Sequence, residues 1–372
     1  MTELLKTIEL IEDKRQEKKV RHKLLDVVVI VLFAKLANAD DWQEVEIFAK
    51  SNEDLLRQCI ELENGIPSHD TMQRVMGSIA PEYMQGVYQK WNETVNSNEW
   101  EALKKIICID GKTMRGSKSK DQKANHIVSA WCDVDGFCLG QKKVEEKSNE
   151  ITAIPQPLDT IQVKGSIITV DAMGTQTEIA EKIKQKHADY TLAVKENQKN
   201  LYREISEYFG DMEFLKEMKS SNGYKIIKEK SHSQIETREY HQCEKIQWMQ
   251  EKSRWKGIKS IGMICKTTEQ EGKKATEKRY YISSLPLDVE LFARTVREHW
   301  SVEIMHWHLD VTFKEDSNTT LDKTAAQNLN IINKWCFSIL KLFDVGKKMS
   351  LKKKRYCISM NARKYLEQIL SL

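Results

Sequence analysis

Two apolar stretches of the sequence end in an aspartate that is followed by small residues. ICIDGKTMRGS (107–117) carries Asp110 after three apolar residues, and IITVDAMG (167–174) carries Asp171 in the same context. Each run predicts a buried strand that ends at its acid. If the two ends are adjacent, carboxylates near 4 Å apart repel by about 4 kcal/mol at an effective dielectric constant of 20. A divalent cation removes that repulsion, and oxygen ligands of this kind suit Mg²⁺ or Mn²⁺. Either aspartate alone is equally well explained by a turn or a helix cap, but the repeated context favours a shared site.

A third ligand is expected from a helix beside these strand ends. The clearest candidate is DVELFARTVREHWSVEIMHWHLDVTF (288–313), in which Glu303, His306 and Asp310 lie along one face, with His299 a turn earlier. The alternative is a core helix whose tryptophans pack and whose histidines are hydrogen-bonded. The segment is not HExxH, so zinc-peptidase chemistry is unsupported. Its single ExxH element also fails to indicate a di-iron helix bundle.

The composition is that of a globular chain with room for two or three domains. The 372 residues contain 31% charged and 40% hydrophobic residues. The longest apolar run, Val27 to Ala34, is too short to span a bilayer. The first residues are acidic and helical in pattern, which argues against a secretory signal. We therefore expect a cytoplasmic protein without membrane contact.

Cysteines and charge give weaker indications about metals and partners. The eight cysteines form no CxxC pair that would suggest zinc, and most are expected to be buried free thiols. The net charge of +4 does not by itself indicate a nucleic-acid partner. Residues 317–372, however, carry 11 Lys or Arg against 3 Asp or Glu, a net +8. A solvated helix face would explain such a run as well as DNA binding does.

The first 98 residues predict helices. Leu24 to Ala39 is strongly apolar, Asp41 to Ile60 is amphipathic, and a further helix precedes the linker NSNEW (96–100). Within this region, ENGIPSHDTMQRVMGSI has helix-turn-helix spacing, with Ser68 or Asp70 as the cap of its second helix. An ordinary helical hairpin is the alternative to DNA contact.

The pattern then changes to strands. Lys105 to Asp110, His126 to Cys132 and Phe137 to Val144 predict an antiparallel meander. A helix from Glu150 is followed by a β-α-β unit with a parallel strand pair that starts near Gly165. The 132 residues between Asp171 and Glu303 exceed what one such unit needs, and the surplus reads as a β-rich insertion with a hairpin around EQEGKK.

Several ordered motifs carry a family resemblance. IDGKTMRGS, HIVSA, EEKSNEITAIP, TVDAMGTQTEIA, YTLAVKENQ and REHWSVEIMHWHLDVTFKED together resemble the bacterial insertion-sequence DDE transposases, in particular the subgroup of the H-repeat-associated proteins. The resemblance implies Asp110, Asp171 and Glu303 as catalytic and metal-binding acids, with Mg²⁺, or alternatively Mn²⁺, as the cofactor. It also implies a mixed α/β fold with a ribonuclease H-like core. The implied division is a helical amino-terminal domain with possible DNA binding (1–98), the first part of the core (99–222), the β-rich insertion (223–285), the last part of the core with the Glu303 helix (286–345) and a basic carboxyl-terminal tail (346–372).

The chain departs from the broader group around the glutamate. A tyrosine, an arginine and a lysine of that group would fall on Val296, His299 and Asp310. We expect His299 to take the arginine's place at the cleaved strand, while Asp310 cannot act as a lysine and is expected to support the metal site. The candidate DNA contacts, each of which could instead be merely solvent-exposed, are Arg74, Lys112, Arg115, Lys195, Asn197, Gln198, His299, Lys352, Lys353, Lys354 and Arg355.

The function that the sequence favours is DNA transposition. A DDE transposase of this kind would cut the ends of an insertion sequence and join them to target DNA, acting as a homodimer on the terminal repeats and associated with the nucleoid. There are two alternatives: a catalytically silent DNA-binding remnant of such an element, and a metal-dependent nuclease without strand transfer that uses the same acids.

Overall fold

The computed structural model describes residues 2–95, 104–145, 150–231 and 234–371. The predicted linker 96–100 lies outside these residues. The amino-terminal region is helical throughout. Its helices are α1 (Glu3–Ile8), α2 (Leu24–Leu36), α3 (Trp42–Ser51), α4 (Glu53–Leu56), α5 (His69–Gly77) and α6 (Pro81–Val95).

Local sequence signals explain where these helices begin and end. Asp41 caps α3 by accepting a hydrogen bond from the Glu44 amide, and the Glu44 carboxylate accepts one from the Asp41 amide. The single helix predicted over 41–60 is wrong, because the segment forms two helices, α3 and α4, with Asn52 between them. Ser68 caps α5 as expected, since its hydroxyl accepts from the Thr71 amide. Within the described ranges, no helix is both long and apolar enough to cross a membrane.

The remaining chain forms one mixed sheet with helices on its faces. The strands pair in the order β3-β2-β1-β4-β5-β9-β8-β7-β6. The strands are β1 (Ile106–Met114), β2 (Asn125–Cys132), β3 (Phe137–Lys143), β4 (Ile167–Val170), β5 (Asp189–Val194), β6 (Tyr224–Ser231), β7 (Gln234–Cys243), β8 (Ser260–Gln270) and β9 (Lys273–Ser283). The helices are α7 (Glu150–Ala153), α8 (Pro155–Thr160), α9 (Thr177–Gln185), α10 (Lys199–Tyr208), α11 (Met212–Met218), α12 (Val289–Val311), α13 (Lys323–Leu342), α14 (Leu351–Met360) and α15 (Ala362–Ile369).

The pairing confirms the predicted mixed α/β fold. Strands β1, β2 and β3 form the antiparallel meander, while β4 and β5 form a parallel pair joined by α9. The hairpin predicted around EQEGKK is formed by β8 and β9. Because β9 pairs with β5, the inserted strands extend the central sheet instead of forming a separate one.

Strand β1 is buried on both faces, which explains its unbroken apolar run. Ile106 and Cys108 pack in the hydrophobic core that contains α13 and the amino-terminal helices. Ile107 and Ile109 pack in the core on the opposite face, with residues of α8, α9 and α10. Since side chains alternate along a strand, Asp110 points to the same face as Ile106 and Cys108.

Helix α13 joins the amino-terminal helices to the sheet. The Asn328 amide donates to the carbonyls of Met76 and Ile79 at 2.7 and 2.9 Å. The hydroxyls of Tyr88 on α6 and Ser338 on α13 lie 2.8 Å apart. The helices before residue 96 and those after residue 322 therefore share one core.

The carboxyl-terminal residues fold into helices α14 and α15, which corrects two of the predicted DNA contacts. Arg355 has 0% exposure and donates to the carbonyl of Lys35 at 2.9 Å and to the Asp40 carboxylate at 3.2 Å. The Lys354 ammonium is turned inward and donates to the carbonyl of Leu340 at 2.7 Å, near the end of α13. Neither side chain can contact DNA, because both are buried. The prediction was wrong because the sequence alone did not show which face of α14 packs against the protein. Lys352 and Lys353 remain exposed.

Loss of the Arg355 guanidinium is expected to destabilise the fold. Arg355→Ala leaves buried carbonyl groups unsatisfied and removes one partner of a buried ion pair, a change that costs about 3–5 kcal/mol. The exposed Lys352→Ala is the matched control, with an expected change within about 0.5 kcal/mol. Urea unfolding followed by circular dichroism measures both. If Arg355→Ala unfolded like the wild type but lost DNA affinity, the residue would be a DNA contact after all.

Candidate active site

Asp110 and Asp171 follow paired residues of two neighbouring parallel strands. Ile109 of β1 lies opposite Val170 of β4, so the two aspartates are the next residue on each strand. Asp110 is not at the end of its own strand, as the sequence suggested, because β2 continues to pair with β1 as far as Met114. What ends at this level is β4. The predicted adjacency of the two acids is thus retained, although by a different arrangement.

Helix α12 lies against the face of the sheet on which Asp110 points. Asp288 caps it by accepting from the Leu291 amide at 2.9 Å. His306 Nδ1 lies 3.3 Å from Asp110 Oδ2, and His299 Nδ1 lies 2.9 Å from the Thr169 hydroxyl on β4. Glu303 lies between these two histidines on the same helix. Glu303 is therefore at the margin of the face that contacts β1 and β4, with its side chain exposed.

The loop after β4 is shaped around Asp171. The Gly174 amide donates to Asp171 Oδ1 at 2.9 Å. A Cβ atom at Gly174 would lie 2.1 Å from a side-chain carbon of Val170, so only glycine fits this turn. The Thr175 hydroxyl lies 2.6 Å from the Ala193 carbonyl and ties the loop to β5. These contacts hold Asp171 in place directly after the carboxyl end of β4.

The charges of the acids act on one another. Partial burial raises the pKa of Glu303, and the negative charges of Asp110 and Asp171 raise it further, while Arg279 opposes them. Burial lowers the pKa of His299, while the charges of Asp110 and Asp171 oppose that shift. The role expected for His299 at the cleaved strand stays a prediction.

The donor set fits a hard divalent cation that is shared with a ligand. Across the described part of the chain, no three His, Cys, Asp or Glu side chains are close enough together to enclose a metal ion by themselves. Mg²⁺, however, is usually bound by one or two carboxylates together with substrate phosphate oxygens and water. A cation bound near Glu303 would offset the negative charges of Asp110 and Asp171 that raise the pKa of this glutamate.

Two cavities adjoin Glu303. The first, of about 280 Å³, is lined by Asp171, Lys195, His299 and Glu303 among others. The second, of about 500 Å³, lies between α12 and the inserted strands, and its lining is mainly aromatic and cationic. Arg279 separates them, with its guanidinium 4.4 Å from the centre of the Trp300 ring. Proteins that bind single-stranded nucleic acids commonly combine cationic and aromatic contacts of this kind.

The other predicted DNA contacts differ in their availability. Arg74 and Arg115 are exposed, and Lys195 faces the smaller cavity. Asn197 and Gln198 donate to the carbonyls of Ala172 and Thr175 at 2.7 and 2.9 Å, so they support the Asp171 loop.

Lys112, which was predicted to contact DNA, is buried in an ion pair. Its side chain is enclosed and its ammonium lies 2.7 Å from the Asp310 carboxylate, so it is not free to bind a phosphate.

Two residues near the acids were missed as site residues. His306 was recognised on the helix face, but nothing in the sequence paired it with Asp110, 196 positions earlier. Arg279 lies in β9 of the insertion, and its place beside Glu303 depends on how that strand joins the sheet. The proximity of both follows only from the tertiary fold.

Comparisons with known proteins agree with this geometry. A family model described as "Transposase DDE domain" matches residues 101–339, and one described as "DDE_Tnp_1-associated" matches residues 5–92. The chain belongs to the DDE transposase family. Membership implies DNA as the partner, and DDE transposases generally use divalent metal ions.

Curated relatives extend over the whole chain. The "H repeat-associated putative transposase YhhI" of Escherichia coli K12 is 37% identical over 100% of this chain and 98% of its own length. The "Putative transposase YncI" of Escherichia coli O157:H7 is 38% identical over 99% of this chain and 94% of its own length. The "Inactive transposase YbfQ" of Escherichia coli K12 is 38% identical but covers only 20% of this chain. The expected family and subgroup are thereby confirmed.

Removing the charge of Asp110 is expected to lower the pKa of Glu303. Asp110→Asn removes one of the two carboxylates that raise it. The titration is followed by ¹³C NMR of carboxyl-labelled glutamate in metal-free protein. Asp121→Asn, at an exposed carboxylate outside the site, is the control, because Asp121 is not among the main charges acting on Glu303. A Glu303 titration that Asp110→Asn leaves unchanged would show that the two groups do not share a site.

Proposed function

We propose that this DDE transposase cuts the ends of an insertion sequence and joins them to target DNA, with Asp110, Asp171 and Glu303 as its catalytic acids. The observation that carries the proposal is the adjacency of Asp110 and Asp171 on β1 and β4, beneath the face of α12 that holds Glu303. The cavity that Asp171 and Glu303 line also contains Lys195, a cation that can contact a phosphate.

The reaction consists of two phosphoryl transfers. Water first attacks a phosphorus atom at the end of the element, and the bond to the 3′ oxygen breaks, which leaves a 3′-hydroxyl. That hydroxyl then attacks a phosphorus atom of the target, and one phosphodiester bond replaces another. Mg²⁺ or Mn²⁺ ions held by the three acids would activate the attacking oxygen and stabilise the leaving oxygen. The transfer needs no covalent intermediate with the protein.

The residues around the acids have supporting roles in this proposal. His306 and His299 hold α12 against Asp110 and Thr169. Lys195 contacts the phosphate backbone at the cleavage site, and the cavity beside Trp300 receives the adjoining nucleotides. Arg74, Arg115, Lys352 and Lys353 contact flanking DNA through exposed side chains. We further propose a homodimer on the paired ends, working in the cytoplasm on nucleoid DNA.

The site residues argue against one of the two alternative functions, the silent remnant, but do not distinguish a transposase from the other, a nuclease without strand transfer. A silent remnant would not need all three acids or the fitted Asp171 loop, so their retention favours an active enzyme. A nuclease without strand transfer would use the same acids. Joining of a pre-cut end to a target plasmid separates that nuclease from a transposase.

Neutralising Glu303 is expected to abolish cutting while preserving DNA binding. Glu303→Gln keeps the size of the side chain but removes a negative charge whose interaction with the metal is worth several kcal/mol in the transition state. Mg²⁺-dependent nicking of end DNA should therefore fall by orders of magnitude, whereas affinity measured in chelator should change little. Glu290→Gln, on the same helix and paired with Lys225 at the surface, is the matched control.

Asp310→Asn provides the internal comparison for the choice of the third acid. Asp310 contacts Lys112 and so supports the site only indirectly. Its variant should retain more nicking than Glu303→Gln. Near-wild-type nicking by Glu303→Gln together with an inactive Asp310→Asn would overturn the assignment.

A further inference from the structure

Lys112 is enclosed by carboxylates from a different part of the chain. Its ammonium lies 2.7 Å from Asp310 Oδ1, 3.3 Å from Glu315 Oε2 and 3.3 Å from Asp316 Oδ1. The residue is 8% exposed, and Glu315 is 3% exposed. A lysine that binds a phosphate must reach solvent, whereas this one is surrounded by negative protein groups.

The contact belongs to a series that joins β1 to α12. Cys108 Sγ donates to the Glu298 carbonyl at 3.2 Å, Asp110 lies 3.3 Å from His306, and Lys112 pairs with Asp310. Residues 108, 110 and 112 share one face of β1, because side chains alternate along a strand. Their partners advance along α12 in the same direction. The series therefore fixes how far α12 is shifted along β1.

That shift decides where Glu303 lies. Asp310 follows Glu303 by seven residues, which is about two helical turns, or about 10.5 Å along the axis. The two carboxylates thus project from nearly the same face of α12. The Lys112–Asp310 ion pair is a second contact between β1 and α12, in addition to that between Asp110 and His306. Two contacts prevent the helix from sliding or turning, and so keep Glu303 in position relative to Asp110.

The carboxylates around Lys112 are themselves anchored. Glu315 Oε1 accepts a hydrogen bond from the Asn330 amide of α13 at 2.8 Å. Asp316 Oδ1 accepts from the Arg115 amide at 3.0 Å. Gly116 lies so close to this turn that a Cβ atom there would be 2.1 Å from the Asn318 carbonyl oxygen. Lys112 consequently ties β1 to α12 and, through Glu315, to α13.

We propose that Lys112 is a positioning residue of the active site: through Asp310 and Glu315 it holds α12 in the register that places Glu303 beside Asp110. It does not act as a phosphate contact. The assignment rests on the proposed function, since it presupposes that these acids hold the metal ion.

The test compares Lys112→Met, Lys112→Asp and a charge exchange in which Lys112→Asp is combined with Asp310→Lys. The exchange keeps one cation among three carboxylates and restores the β1–α12 ion pair with its ends reversed. Lys118→Met, at an exposed lysine six residues further along the chain, is the matched control. Each protein is assayed for Mn²⁺ affinity by electron paramagnetic resonance, both alone and on an uncleavable end-DNA duplex. End-DNA affinity against salt in chelator, single-turnover nicking and folded fraction by circular dichroism are measured as well.

For Lys112→Met we expect Mn²⁺ affinity and the nicking rate to fall by about 10–100-fold, the range seen when partners that orient metal ligands are lost. End-DNA affinity and its salt dependence should stay unchanged. The exchange variant should bind Mn²⁺ at least about tenfold more tightly than Lys112→Asp alone. Lys118→Met should behave as the wild type in all four assays.

Three results would overturn the proposal. A salt slope of binding that decreases by about 0.9 would make Lys112 a phosphate contact. Losses of metal binding and nicking in proportion to the unfolded fraction would make its role structural only. Unchanged Mn²⁺ affinity in Lys112→Met would exclude positioning. If the wild type bound Mn²⁺ but cut no DNA, the proposed function would fail, while the Mn²⁺ affinities of the variants would still decide the role of Lys112.

Discussion

The repulsion among three carboxylates is the constraint on which the site depends. Burial is the largest cause of the raised pKa of Glu303, and the negative charges of Asp110 and Asp171 raise it further. A chain gains nothing in stability by bringing such groups together, so the surrounding structure must hold them against their repulsion. The elements that do so are a pair of parallel strands and one long helix, each stabilised by interactions away from the acids.

Each acid is held by contacts of a different kind. Asp110 belongs to a strand whose apolar side chains are buried on both faces. Asp171 depends on a turn that only glycine permits at position 174. Glu303 depends on the placement of α12, which is fixed by side-chain contacts to β1 and β4 rather than by backbone pairing. The position of the glutamate is therefore the most sensitive to single substitutions.

The amino-terminal helices contribute to the same framework. Helix α13 contacts them through Asn328 and Ser338, and contacts the Lys112 cluster through Asn330. Residues 5–92 and 101–339 match separate family models, yet in the folded chain they share a hydrophobic core. DNA bound to the exposed side of these helices would thus contact elements that pack in the same hydrophobic core as α13.

The sequence predicted what depends on local pattern. Apolar runs ending in Asp110 and Asp171, the periodicity of α12 and the turn residues between β8 and β9 are all signals within a few residues, and each of these elements is present. The predicted DNA contacts that proved wrong are side chains whose partners are distant in the chain. Lys112 pairs with Asp310 and Arg355 with Asp40, and such pairing reverses the usual expectation that a basic residue is exposed.

The central claim is that Asp110, Asp171 and Glu303 share a divalent ion, and the most direct measurement is anomalous diffraction from crystals of the protein with end DNA and Mn²⁺. The account predicts anomalous peaks within coordination distance, about 2.0–2.6 Å for oxygen ligands, of carboxylate oxygens from all three residues. Peaks that contact the two aspartates but not Glu303, or that lie at another cluster of acids, would contradict it.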